Sequence, residues 1–156
     1  MSKEKFFEIL CVVLLVGFVG FLLFENGGSS KTGEEVFTPV IEAFNMGELK
    51  VRDDKTLKKE FSFGEEDVAT VMYISSDSIM EVQELLLVEA KSKDDVQKIA
   101  EAIQSRVESK KALFKNYAPE QSALLENYTL IKKGKFVFYI VSDSPEAAIK
   151  AFKKAL

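Results

Sequence analysis

The chain has 156 residues, 47% of them hydrophobic and 29% charged, with a formal net charge of −4. That length and mix suit one domain plus a short appendage, exclude bulk disorder, and disfavour attraction to nucleic acid by charge alone, so no nucleic-acid partner is expected. There is no His and only one Cys, Cys11. These absences remove the commonest general base, an intrachain disulfide and any Cys/His zinc site.

Residues 6–24 read FFEILCVVLLVGFVGFLLF, with Glu8 the one charged residue among them. As a helix this run is about 28 Å long, close to the ~30 Å of a bilayer core. Lys3 and Lys5 precede it and Glu25 follows it. The positive-inside bias then places the N-terminus in the cytoplasm and the rest outside. Cleavage as a signal peptide is the rival reading. Leu22, Leu23 and Phe24 run straight into Glu25, a poor match to a small-residue cleavage site, although Gly and Ser follow at 27–30. Cys11 lies near the start of the apolar run, the wrong end for lipidation. The expected organisation is a signal-anchor helix over 1–24, single-pass in the cell membrane, a flexible Gly/Ser linker over 25–33, and an extracytoplasmic domain over 34–156.

Within that domain, Val36, Val40, Ile41 and Phe44 recur at helical spacing. Thr32 with Glu35 forms a candidate capping box, Pro39 falls inside, and Gly47 closes the helix. A short helix over 55–61 follows, capped by Asp53 or Asp54. Residues 68–74 (VATVMYI) are β-branched and aromatic and read as a strand. After a polar turn at 75–78, residues 82–90 carry the run LLLV and read as a central strand buried on both faces. Ser92, Asp94 and Asp95 start a helix that runs to about residue 116. Its apolar stripe is Val96, Ile99, Ala100, Ile103, Val107 and Phe114. Pro119 opens another short helix. Residues 128–131 and 135–141 form a hairpin about the turn at 132–134. Ser144 as cap and Pro145 at the first helical position open the last helix, with Ala148, Ala151, Phe152 and Ala155 as its buried stripe.

The expected fold class is α+β: one sheet of about four strands, with helices packed mainly on one face. LLLVEAKSKDDVQKIAEAI and FVFYIVSDSPEAAIKAF both run from an apolar strand through a Ser cap and acids into an amphipathic helix. A duplicated strand–strand–helix unit is one reading of that echo. Phe136, Phe138 and Ile140 share one face of their strand, and Val137, Tyr139 and Val141 share the other. The Phe138 face is expected to meet both the Ile99–Ile103–Val107 stripe and Phe152.

The strand VQELLLVEAK, the helix from Asp94, the segment NYAPEQ at 116–121, the turn KGK at 133–135, the strand FVFYIVSDS and Phe152 occur in this order. From residue 82 to 156, and more weakly upstream to about residue 34, this set resembles the family of the domain of unknown function 4358. The resemblance implies a Firmicutes, Gram-positive-type cell envelope, where members are often lipoproteins. It implies no catalytic residue. The chain departs from the lipoprotein pattern in lacking a usable lipobox.

Residues of chemical interest have plain alternatives. Glu65, Glu66 and Asp67 lack the alternating spacing of a calcium loop and read as a solvated turn. Asp94 and Asp95 are explained by the helix dipole. Ser75, Ser76, Ser78 and Lys91 supply the residue types of a Ser/Lys hydrolase without its strand–helix elbow. Tyr117 lines a groove or plugs the core beneath its turn. Lys110, Lys111 and Lys115 cluster at a helix end. Lys132, Lys133 and Lys135 cluster at the hairpin tip, where they would contact an anionic surface such as lipid headgroups or wall polymer, or simply keep an edge strand soluble. No catalytic, cofactor or metal residue is assigned, and no cofactor is expected. The expectation is a membrane-anchored, non-catalytic binding or adaptor domain whose partner is an envelope protein or polymer. A carboxylate-dependent hydrolase or metal-dependent enzyme, and a sensor subunit of a membrane complex, stay open.

Overall fold

The structure, a computed structural model, describes residues 31–156 together with Leu14. Leu14 apart, the expected anchor and most of the expected linker lie outside the described residues. Among the described residues no helix is long and apolar enough to cross a membrane.

Helix α1 (Gly33–Ala43) starts with the capping box its sequence promises. Thr32 N–H donates to Glu35 Oε2 at 2.7 Å, and Glu35 N–H donates to Thr32 Oγ1 at 3.4 Å. Its first residue is pinned, because Gly33 N–H donates to Glu89 Oε2 at 2.9 Å. A Cβ there would lie 2.7 Å from the Thr70 side chain, so the close approach needs glycine. Strand β1 (Lys50–Val51) and helix α2 (Asp54–Phe61) follow, with Asp53 as the cap. A 3-10 turn (Glu65–Asp67) leads into β2 (Val68–Ser75) and β3 (Glu84–Ala90). Helix α3 (Lys93–Phe114) is capped by Ser92. After α4 (Pro119–Glu126) come β4 (Thr129–Lys133), β5 (Phe136–Val141) and α5 (Glu146–Ala155).

The strands form one antiparallel sheet in the order β1-β2-β3-β5-β4. Among the described residues it has five strands against the expected four or so, because the two-residue edge β1 is too short to leave a period in sequence. Ser75, Glu84 and Val141 stand side by side at one end of the sheet. Val68 with Ala90, and Glu89 with Phe136 and Lys133, mark the other. Gly33 joins that second end through Glu89.

Helices cover both faces, which corrects the one-face expectation. Leu86, Val88, Tyr73, Val137 and Tyr139 pack with α2, α3 and α4. Ile74, Leu85, Leu87, Phe136, Phe138 and Ile140 pack with α1 and α5. The reason is already in the strands: β3 and β5 are buried at every position, so neither face tolerates water. The expected partners of Phe138 are therefore split. Phe138 stacks on Phe152 with ring centroids 4.9 Å apart, while Ile99, Ile103 and Val107 lie across the sheet with Tyr139.

The duplication also loses its symmetry. The orders β2–β3–α3 and β4–β5–α5 repeat, and β3 lies beside β5. A two-fold axis relating these antiparallel neighbours would keep α3 and α5 on the same face, yet they occupy opposite ones. The last helix begins one residue later than expected. Pro145 is its cap position and Ser144 Oγ donates to Asp143 Oδ1 at 2.8 Å rather than capping.

Candidate cleft at the end of the sheet

At the Ser75–Glu84 end, the space between α2, α3 and the β2–β3 loop opens into a cleft of about 630 Å³. Its floor is a buried polar network. Glu84 begins β3 on the face turned towards α3, where the residues that follow it are apolar, and it is 1% exposed. Arg106 reaches it from α3. Both nitrogens of the Arg106 fork donate to the two Glu84 oxygens, Nη1 to Oε1 and Nη2 to Oε2, the latter at 2.9 Å. Tyr73 Oη donates to Glu84 Oε2 at 2.9 Å and Tyr139 Oη to Oε1 at 2.7 Å. The guanidinium also donates from Nε and Nη2 to Glu60 Oε2 of α2, at 3.0 and 2.7 Å, and lies 4.4 Å from the Phe61 ring centre.

Burial by itself would raise the Glu84 carboxyl. The charges of Arg106 and Lys110 and the hydrogen bonds from Arg106 and Tyr139 outweigh it, and the group sits below the usual carboxylate range. Burial would lower the Arg106 guanidinium, but the adjoining Glu84 carboxylate raises it further above its ordinary value. Burial and the Glu84 charge push both Tyr73 and Tyr139 up, so their hydroxyls stay donors. The floor is thus fixed in charge and in hydrogen-bond direction. Lys110, one turn beyond Arg106, faces the same carboxylate more loosely, with Nζ 3.6 Å from Glu84 Oε2. Burial lowers its ammonium, Glu84 offsets this only in part, and neighbouring Arg106 adds to the lowering.

The walls differ from the floor. Arg52, between β1 and α2, donates its N–H to the Tyr73 carbonyl at 2.8 Å and its Nη1 to Asp77. Its Nε is buried and has no hydrogen-bond partner among the described residues. Asp77 is also paired with Lys50, and these two cations hold its carboxyl down to about 2. The β2–β3 loop is ordered by serine turns, Ser78 N–H to Ser76 Oγ at 3.0 Å and Met80 N–H to Ser78 Oγ at 3.2 Å. It nevertheless presents Ile79 at 89% exposure, and α3 and its C-terminal turn present Leu113 at 64% and Tyr117 at 55%. These three line the mouth of the cleft. An exposed apolar cluster beside a rigid polar floor is the less common arrangement on a monomer surface.

The lysines singled out in sequence are placed elsewhere. Lys132, Lys133 and Lys135 do gather at the β4–β5 hairpin tip, where Gly134 takes φ +59°. Lys132 Nζ donates to Gln97 Oε1 at 2.9 Å and Lys135 lies 3.4 Å from Glu89. Lys133 is exposed. The other cluster is split. Lys110 turns into the cleft, whereas Lys111 pairs with Glu108 and Glu126 at 3.2 Å each and lies 5.2 Å from the Tyr128 ring centre. Glu66 pairs with Lys58 and Asp67 accepts from Gly64 N–H, so the acids of 65–67 point to separate partners. Asp95 serves the helix start, accepting from Ser92 Oγ at 2.6 Å. Tyr117 stacks on Phe114 at 5.2 Å and stays half exposed, which settles it as a cleft residue rather than a plug.

Sequence reading missed Glu84, Arg106, Tyr73 and Tyr139. A signal was present. Glu84 stands directly before LLLV, and Arg106 falls three residues after Ile103, on the helix's buried stripe. One acid and one base at positions where periodicity demands apolar residues point to a buried pair. Among known proteins, the family described as Domain of unknown function (DUF4358) matches residues 43–142. That stretch holds β1 to β5 and every residue of the cleft, and stops before α5. No curated protein and no solved structure matches the chain.

Proposed function

This chain belongs to the DUF4358 family, and we propose that it is a non-catalytic binding domain held at the cell membrane by its N-terminal segment, outside the cytoplasm. The observation that carries the binding role is the cleft. A saturated, charge-fixed floor and an exposed apolar rim suit recognition, because the Glu84 lone pairs are already occupied by Arg106 and the two tyrosines. The topology supports the membrane arrangement. Gly33, where the chain enters the domain, sits at the Glu89 end of β3, and the cleft lies at the Glu84 end. Five residues of strand separate these ends by about 17 Å. A tether at the N-terminus would turn the cleft away from the bilayer and bring the hairpin tip with Lys133 towards the headgroups.

The test uses the full chain in its native membrane. A photo-crosslinking residue in place of Ile79 is expected to give discrete adducts, and one in place of the exposed Lys98 on the outer side of α3 is not. Equal labelling at both positions, or none at Ile79, would overturn the cleft as the binding site.

A further inference from the structure

We propose that the cleft takes a small organic anion, one carboxylate- or phosphate-type head on an apolar body, with the head at Lys110 and Arg52 and the body against Ile79, Leu113 and Tyr117. This names the ligand class of the binding reading above and rests on it.

Charge pairing inside the cleft leads to this choice. Of the acids lining it, Glu84 and Glu60 are engaged by Arg106, and Asp77 by Lys50 and Arg52. Of the bases, Arg106 is spent on those two glutamates. Lys110 is not matched in the same way. Its nearest carboxylate oxygen, Glu84 Oε2, is 3.6 Å away and already accepts from Tyr73 and Arg106. That distance is beyond a good hydrogen bond. Arg52 adds a buried Nε donor without a partner among the described residues, and Ser75 adds a hydroxyl to the same lining, whereas the Thr56 hydroxyl is already donated to Asp53. Glu81 and Lys59, the remaining charges of the lining, are equal and opposite in number and make no ion pair with one another. A cationic ligand would therefore find the carboxylates of the floor and of Asp77 taken and only the rim acid Glu81 unpaired among the described residues, while an anion finds a half-buried ammonium and a spare guanidinium donor. Burial lowers the Lys110 ammonium, and an anion beside it would counter that lowering.

Size and rim narrow the class. A volume of about 630 Å³ lies within the range of small-molecule sites and is small for a folded partner. Ile79, Leu113 and Tyr117 offer an aliphatic and aromatic surface at the mouth, which bare acetate or inorganic phosphate would leave wet.

The experiment places the full chain in lipid nanodiscs and follows the Ile79 and Leu113 methyl groups by NMR. The probes are hydrocinnamate, phenylpropyl phosphate, hydrocinnamamide, phenylpropylammonium and acetate. The two apolar anions are expected to give saturable shifts, and the tighter of them identifies the head. The amide, the ammonium and acetate should bind about tenfold more weakly or worse, the loss expected for one charge-assisted contact or one apolar body. Lys110→Gln should weaken the anions by about tenfold and leave the amide unchanged. Leu113→Ser, at an exposed position, should weaken anions and amide alike. Equal affinity for acid and amide, tighter binding of the ammonium, unchanged anion affinity in Lys110→Gln, or no saturable shift from any probe would overturn the anion assignment. Those results leave the cleft as a binding site to be judged by crosslinking at Ile79, so the two readings fail separately.

Discussion

Removing the Arg106 side chain would leave the Glu84 carboxylate 1% exposed with only the looser Lys110 ammonium opposite it. Arg106→Met is therefore expected to cost about 3–5 kcal/mol, the usual consequence of orphaning one member of a buried pair. Glu84→Gln alone should be similarly severe, and the double variant should cost well under the sum, by at least about 1 kcal/mol. Urea melts of the four proteins measure this, and strict additivity would mean that the two side chains are not coupled. The pH dependence follows from the same pair. The Glu84 carboxyl is held below its unfolded value of 4.5, so its contribution is fully present above that value and fades as pH falls through the lower folded one. Melts between neutral and strongly acid pH should show a shallower acid limb in Glu84→Gln than in the parent chain. Lys110 carries the opposite sign. A lysine whose folded pKa is depressed opposes folding below that value, and its opposition is gone above the ordinary 10.5. Lys110→Gln should therefore unfold at the same denaturant concentration as the parent or a higher one.

Strand β5 has no solvent side. Phe138, stacked on Phe152, and Tyr139, packed near Phe61 and Tyr128, are both wholly buried, one on each face. Phe138→Ala and Tyr139→Ala should each cost about 3–5 kcal/mol, as large truncations in cores do. Tyr139→Phe should cost about 1–3 kcal/mol by leaving Glu84 one donor short. Lys133→Ala, one turn away at the exposed hairpin tip, should stay within about 0.5 kcal/mol. A mild Phe138→Ala would mean that α5 does not seal its face. The helices read well from sequence because period, cap and stop are local: Thr32 with Glu35, Asp53 and Ser92 cap where their residue types say they should. Strand β1 did not read, because two residues carry no alternation and Lys50–Val51 pair only because β2 lies beside them.

The molecule has two ends with different chemistry. The chain enters at the Gly33–Glu89 end, and the cleft opens at the other. With the N-terminal segment in a membrane and the domain outside, protease added to intact, wall-stripped cells should digest the domain, and full protection until lysis would place it inside. Removing residues 1–30 is expected to leave cooperative urea unfolding unchanged: among the described residues one core is built from α2 to α4 with one sheet face, the other from α1 and α5 with the opposite face. Loss of cooperativity would make the N-terminal segment part of the fold.

Local order in this chain is written locally. The all-apolar strands β3 and β5, the capped helices and the hairpin at Gly134 follow from residue types a few positions apart, and so does the family pattern across 43–142. What only the tertiary structure decided is which helix covers which face, and with it the cleft. Nothing in the α3 or α5 stripe names a side of the sheet, since either apolar stripe would satisfy either apolar face. Placing α3 on the Glu84 side brings Arg106, 22 positions further along the chain, within hydrogen-bond distance of the acid. Tyr73, Tyr139 and Glu60 converge on the pair from three other elements. A charge on a buried stripe is legible as an anomaly in sequence. Its partner is fixed only when the chain folds, because a buried ion must find its counter-charge across space.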